Sequence, residues 1–275
     1  MSLRLACHLW AYNDRPFDEA LATAARLGFQ YVDLGSGAHL DVDKAAQDPL
    51  GEARRIKERL AEYQLALSDL YLMLPFINAP DPKPREGQLH LFRRLIPFAL
   101  ALGTPGITVS TGLIHADGPD HARARAFPAL MQMAHAISET PLRFSFEAHM
   151  DSAISTTQEA LMLLESVPNL RLTLDYAHFV VQGQSLKEIR PLLEYVDHVH
   201  IRQAVKGRLQ TPHSQGRLDL EALLRDLLEA NYQGALAIEY MTTFGWHGMM
   251  PLNITLEMVK TRDALRELRQ KLESD

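Results

Sequence analysis

Cysteine is nearly absent: Cys7 is the only one in 275 residues. An intrachain disulfide and any metal centre built from several thiolates are therefore excluded. No apolar run approaches the roughly 20 residues of a membrane span. The first residues also lack the basic segment and apolar stretch of a secretory signal, so a cytoplasmic protein without membrane contact is expected. Dense Lys/Arg clusters are missing too, and the net charge is −6 with His neutral. Nucleic-acid binders present a basic face or stripe; no nucleic-acid partner is expected, and a small polar substrate fits better. No Gly-x-Gly-x-x-Gly follows the first apolar run, which counts against a dinucleotide-binding open sheet.

What is present is a globular profile, 47% hydrophobic and 23% charged. Short β-rich runs alternate with longer amphipathic ones along the whole chain. Strands are predicted at 3–10, 31–34, 65–72, 107–110, 143–147, 170–174, 198–201 and 235–240. Helices are predicted at 17–27, 51–63, 86–102, 120–138, 157–166, 185–193, 220–230 and 252–272. In the first helix Phe17, Ala20, Leu21, Ala24 and Ala25 keep helical spacing, and Gly28 stands where a helix stop belongs. Pro75, Pro80, Pro82 and Pro84 mark a loop, and Pro128 a kink. Strand–helix alternation implies a parallel sheet, and eight such units imply closure as a single (β/α)8 TIM barrel over residues 1–275. A doubly wound open sheet is the alternative architecture. No linker or low-complexity segment divides the chain.

Barrel enzymes carry their chemistry at the C-terminal ends of the strands. Read in order, strands five to eight end on Glu147, Asp175, His200 and Glu239. A single acid closing an apolar run is ordinary; three acids and an imidazole on successive strands are not. Acids crowded at one mouth repel one another and have raised pKa values unless a cation holds them. Three oxygens and one nitrogen suit one divalent metal ion such as Mn²⁺, Co²⁺, Mg²⁺ or Zn²⁺.

These pieces make a specific pattern. Phe146-Glu147, Asp175-Tyr-Ala-His178, His198-Val-His200-Ile-Arg202 and Ile238-Glu239-Tyr240 resemble the xylose-isomerase-like barrel superfamily of sugar isomerases and epimerases, including the ketose 3-epimerases. The resemblance implies that Glu147, Asp175, His200 and Glu239 are the metal ligands. It also implies that His178 contacts substrate and that Lys206 or Arg208 supplies a substrate-binding cation. Many members have an Asp where this chain has Gln203, which sets the segment from Gln203 to Gln210 apart.

The implied mechanism is proton transfer at a carbon next to a carbonyl. A sugar or hydroxyketone chelates the metal, which polarises the carbonyl and stabilises an enediolate. Glu147 and Glu239 then flank the carbon as catalytic base and acid. Return of the proton to the same carbon gives epimerisation, to its neighbour isomerisation, and loss of water a dehydratase acting on a shikimate-like acid. An apurinic-endonuclease-like enzyme is a further alternative, but Thr211-Pro-His213 lacks the Asp-x-His of that class. A non-catalytic barrel protein would not need the ligand set.

His149 contacts substrate or supports Glu147, and Trp246 with His247 lies in a Gly-flanked loop that reads as a lid or as loop packing. His198 reads as a packed barrel histidine, and His8 as pocket floor or core. Asp33 reads as a substrate contact or a turn cap. His115 and His121, flanking Asp117, read as solvated, and Ser110, Thr111 and Gly112 as polar contacts. A homo-oligomer is possible on general grounds.

Overall fold

The computed structural model describes residues 3–274. Eight parallel strands close in sequence order, β1 (Arg4–His8), β2 (Tyr31–Gly35), β3 (Ala66–Leu72), β4 (Gly106–Ser110), β5 (Arg143–Glu147), β6 (Arg171–Asp175), β7 (Val196–Ile201) and β8 (Ala235–Ile238). Closure is made by β1 against β8, with Arg4 opposite Ala235 and Cys7 opposite Ile238. The predicted barrel is the observed one.

Outside the barrel run α1 (Phe17–Arg26), α2 (Val42–Gln47), α3 (Pro49–Glu62), α4 (Pro82–Leu102), α5 (Pro119–Ile137), α6 (Thr157–Ser166), α7 (Tyr176–Val180), α8 (Leu186–Ile189), α9 (Leu220–Glu229) and α10 (Ile254–Ser274). Side-chain caps start most of them: Asp41, Asp48, Asp81 and Asp219 accept first-turn amides, and Thr156 with Glu159 forms a capping box. Among the described residues, no helix is long and apolar enough to cross a membrane.

Three local expectations change. The second connection holds an additional helix, α2, nucleated by Asp41. Pro82 and Pro84 open α4 instead of lying in a loop, because a first helical turn tolerates a missing N–H. The predicted helix at 185–193 is α8 followed by a 3₁₀ segment, Arg190–Tyr195, that contains Pro191. Pro128 sits inside α5.

Alternation along each strand divides its residues between two environments. Val32, Leu34, Ile107, Val109, Phe144, Phe146, Val199 and Ile201 join the core under the helices. The opposite parity faces the barrel axis. Ala6, Ala235 and Ala237 meet Tyr31 in a small apolar floor. Above it the interior is polar: Asp33, Asp69, Thr108, Thr173, His198 and His200, all buried. Two register shifts shape this layer, one where Val32 and Asp33 face Leu67 and Asp69, and one where Leu172 and Thr173 face Val196 and His198. Bulges of this kind re-aim side chains next to sites.

Candidate functional site

Glu147 and Asp175 end β5 and β6, His200 is inside β7, and Glu239 follows β8, fixed there by its N–H donating to Ile201 O at 3.0 Å. All four are buried at the C-terminal rim. His200 Nδ1 lies 2.7 Å from Glu147 Oε1 and 3.2 Å from Glu239 Oε2. Tyr71 donates its hydroxyl to the other Glu147 oxygen at 2.9 Å. Ligand atoms of Glu147, His200 and Glu239 lie within 4.8 Å of one another, as do those of His8, Asp33 and His200.

Asp175 is placed differently from the expectation. It is on the same rim, but its Oδ1 accepts the Ala177 N–H at 2.8 Å, capping α7. Its Oδ2 takes the Arg202 guanidinium at 2.5 Å. Arg202 also lies 3.6 Å from Glu239 Oε1 and 3.1 Å from His178 Nε2, and is only 1% exposed. A full positive charge is therefore built into the carboxylate cluster. Its position was readable in the sequence, since Arg202 is two residues beyond His200 and shares its side of the strand.

Lys206 and Arg208, expected as substrate cations, stand exposed on a turn closed by a Val205–Arg208 bridge. Arg208 reaches Met250 Sδ at 3.9 Å. Gln203 explains the departure that sets this segment apart. Its amide donates to Leu218 O and accepts from Leu218 N, both at 3.1 Å. A carboxylate could accept but not donate. Gln203 thus fastens the loop between β7 and α9.

His178, on α7, accepts the Met150 N–H at Nδ1. Its ring is 5.5 Å from His149 and 6.0 Å from Trp246, so all three expected contacts gather on one side of the mouth. His149 Nδ1 is held by Met150 O, and its buried Nε2 has no partner. Trp246 and His247 both bond Asp151 Oδ2, at 3.0 and 2.8 Å, joining the loop after β8 to the loop after β5.

Beneath the rim, Asp33 accepts from Ser68 at 2.5 Å and from His198 at 2.7 Å. His198 is indeed packed in the barrel; Asp33 is an interior residue, not a turn cap. His8 Nδ1 accepts the Trp10 N–H, and its ring stands 5.0 Å from His200. His115 is tied to Asn78 Oδ1 and Asp117 to Arg125, while Asp117 and His121 stand exposed, so this loop is solvated as expected and braced by these bonds. Ser110 Oγ is buried without a partner, and Thr111 bonds Ser152.

Burial and charge set the protonation states. Burial opposes a charge on His200, but Glu239, Glu147 and Asp33 outweigh it and raise its pKa well above the ordinary value. Burial tends to raise Glu239, yet Arg202 and His200 hold it below the usual carboxylate range. Asp175 is pushed up to about 7 by burial and by the neighbouring glutamates, against Arg202. Burial and Arg202 keep His178 neutral, and burial lowers His8 to about 4.

The donor set fits a divalent cation. Two carboxylates and an imidazole converge, and Glu239 Oε2 and His200 Nε2 are buried atoms without hydrogen-bond partners. Unpaired buried polar atoms are costly, and a cation between Glu147, His200 and Glu239 would satisfy the first of these.

The sequence matches the family model of the xylose isomerase-like TIM barrel over residues 21–268. An inosose dehydratase of Clostridium botulinum (strain Eklund 17B / Type B) is 22% identical over 271 residues, covering 84% of this chain and 86% of that protein. D-allulose 3-epimerase from Methylomonas sp. in complex with D-allulose matches with a TM-score of 0.75 at 19% identity, over 96% of each chain. A xylose isomerase-like TIM barrel protein from Mycobacterium smegmatis in complex with magnesium matches with a TM-score of 0.75 at 17% identity, over 98% of this chain and 97% of that one. At such identities the structural matches establish fold, while the family model reaches through every strand from β2 to β8. The chain belongs to the xylose isomerase-like TIM barrel family.

Proposed function

We propose that the protein is a divalent-metal-dependent isomerase or epimerase of a small sugar or sugar-like hydroxyketone. The observation that carries this reading is the convergence of Glu147, His200 and Glu239 on one buried point at the barrel mouth. These three residues would hold the ion, with Asp175 beside them on Arg202. A Mn²⁺, Co²⁺, Mg²⁺ or Zn²⁺ ion there would polarise a substrate carbonyl and acidify the adjacent C–H. Glu147 and Glu239 would then remove and return that proton. His178, neutral and next to Arg202, and His149, with a free buried Nε2, line the side where substrate hydroxyls would be oriented. Trp246, latched through Asp151, packs beside His178 on that side.

The similarity to an inosose dehydratase favours one second reading, loss of water from a hydroxyketone by the same first step. Deuterated solvent separates these outcomes. NMR across a panel of ketoses and hydroxyketo acids should show a substrate C–H exchanging with solvent in metal-loaded protein. The exchange should stop after chelation and return with the ion. An isotope-exchanged isomer supports the first reading and an unsaturated product the second. Conversion that continues undiminished in chelated protein would contradict both.

Metal loading should also release protons. Glu239 and Glu147 favour the charged form of His200 against its burial. Ligation needs a free lone pair on Nδ1, so that proton must leave. A raised pKa means the proton is held below the raised value and gone above it. Affinity should therefore climb with pH through that range. Calorimetry in two buffers of different ionisation enthalpy should show net proton release at pH 7, and buffer-independent heats there would count against the assignment.

A further inference from the structure

His200 has an acid at each ring nitrogen. Nδ1 faces Glu147 and Glu239, whereas Nε2 lies 3.3 Å from Asp33 Oδ2. Two groups with ligand-like spacing consequently share this one ring, the trio at the mouth and the trio of His8, Asp33 and His200 below it. A neutral imidazole offers one lone pair and one N–H. Which nitrogen carries which decides where a cation binds, and second partners of metal-binding histidines fix that choice.

Asp33 is committed elsewhere on the lower side. Its Oδ1 takes the Ser68 hydroxyl and its Oδ2 takes His198. The register shift between β2 and β3 leaves Ser68 unpaired between Leu67 and Asp69, which lets its hydroxyl reach Asp33. His198 and His200 stand two residues apart on β7 with rings perpendicular and 5.2 Å apart, so one carboxylate oxygen can serve both. An ionised carboxylate only accepts hydrogen bonds, so the His200 nitrogen facing it must carry hydrogen. His8 closes the lower trio further: its Nδ1 already accepts the Trp10 N–H, which leaves hydrogen on its Nε2 when the ring is neutral.

We propose that Asp33, anchored by Ser68 and His198, is the positioning residue that keeps hydrogen on His200 Nε2 and turns the Nδ1 lone pair to the mouth. The lower trio is then a support and not a second cation site. His200 Nε2 is within ion-pair distance of Asp33 Oδ2 without hydrogen-bond alignment. Such contacts commonly tighten only in the working complex.

This inference rests on the cation reading of the mouth, and the experiment separates the two. Mn²⁺ alone is titrated into full-length protein, with free ion followed by electron paramagnetic resonance. Asp33→Asn is expected to weaken Mn²⁺ binding about 10- to 100-fold. His198→Gln, which leaves the Asp33 carboxylate before His200, is expected to lower thermal stability while keeping affinity nearer the parent's. Equal affinity in Asp33→Asn and the parent overturns the role of Asp33, as does an equal loss in both variants. No binding by the parent overturns the cation reading itself. Should Asp33→Asn fail to fold, nitrogen-15 NMR of the Mg²⁺-loaded parent decides alone. Hydrogen on His200 Nε2 with a perturbed Nδ1 is expected; the reverse pattern overturns the proposal.

Discussion

Glu239→Gln and Glu147→Gln are each expected to lower turnover by about 10²- to 10⁴-fold, the usual cost of losing a general acid or base. The geometry makes the two substitutions unequal in kind. Glu239 is held toward its ionised form by Arg202 and His200 against its burial. Glu147 shares its charge with His200 and accepts the Tyr71 hydroxyl, which braces it. An amide in either position keeps the volume and removes the charge. Because both residues also contact His200 Nδ1, ion content must be measured alongside rate. A variant that binds Mn²⁺ nearly as well as the parent but no longer exchanges the substrate C–H has lost proton transfer. A variant that has lost both has lost the ion. His178→Ala should be milder, raising KM more than it lowers kcat, if a neutral histidine there orients substrate without carrying the transferred proton, as proposed. Undiminished turnover in Glu239→Gln would remove it from the chemistry altogether.

The rim was legible in the sequence because a parallel barrel leaves little freedom. Once eight apolar runs are read as strands, their C-terminal ends must meet, and period two decides which residues face inward. The rim positions of Glu147, Asp175, His200 and Glu239 followed from that alone, whereas the gathering of His149, His178 and Trp246 at one side is seen only in the structure. What the sequence did not reveal are choices of partner. Asp33 and His198 are 165 positions apart, and their contact depends on barrel closure together with the β2–β3 register shift. Asp175 has a cation and an arginine available to it, and strand parity cannot choose between them. Lys206 or Arg208 was expected as the substrate cation, and Arg202 was given no role. The tight turn at Val205–Arg208 carries them outward, whereas Arg202 continues the inward face of β7. Gln203 was visible as a departure, but its meaning required the backbone of Leu218 on the far side of the loop.

Arg202→Met is expected to cost about 3–5 kcal/mol of folding stability, the range for stranding a buried charge by removing its partner. Arg202 is fully buried, is bonded to Asp175 and to the Glu239 backbone carbonyl, and lies 3.1 Å from His178 Nε2. Methionine fills similar space but leaves Asp175 without its guanidinium partner and Glu239 with His200 alone. The pH dependence has a definite sign. Asp175 has its folded pKa raised to about 7 with Arg202 present, and without the guanidinium it must rise further. A carboxyl raised above its unfolded value penalises the folded state as pH climbs from that unfolded value, and fully so above the folded one. Wild-type and variant stabilities should thus lie closer together at acid pH, where Asp175 takes a proton, and furthest apart in alkali. Denaturant titrations at pH 5.5 and 8 measure this directly. Pairing the change with Asp175→Asn should recover much of the loss at pH 8, because the double variant no longer contains the stranded carboxylate. Adding Mn²⁺ should restore Arg202→Met by more than it stabilises the parent, since the ion supplies positive charge to the same acids. A pH-independent loss, with no recovery in the double variant, would mean that Arg202 acts through packing and not through its charge.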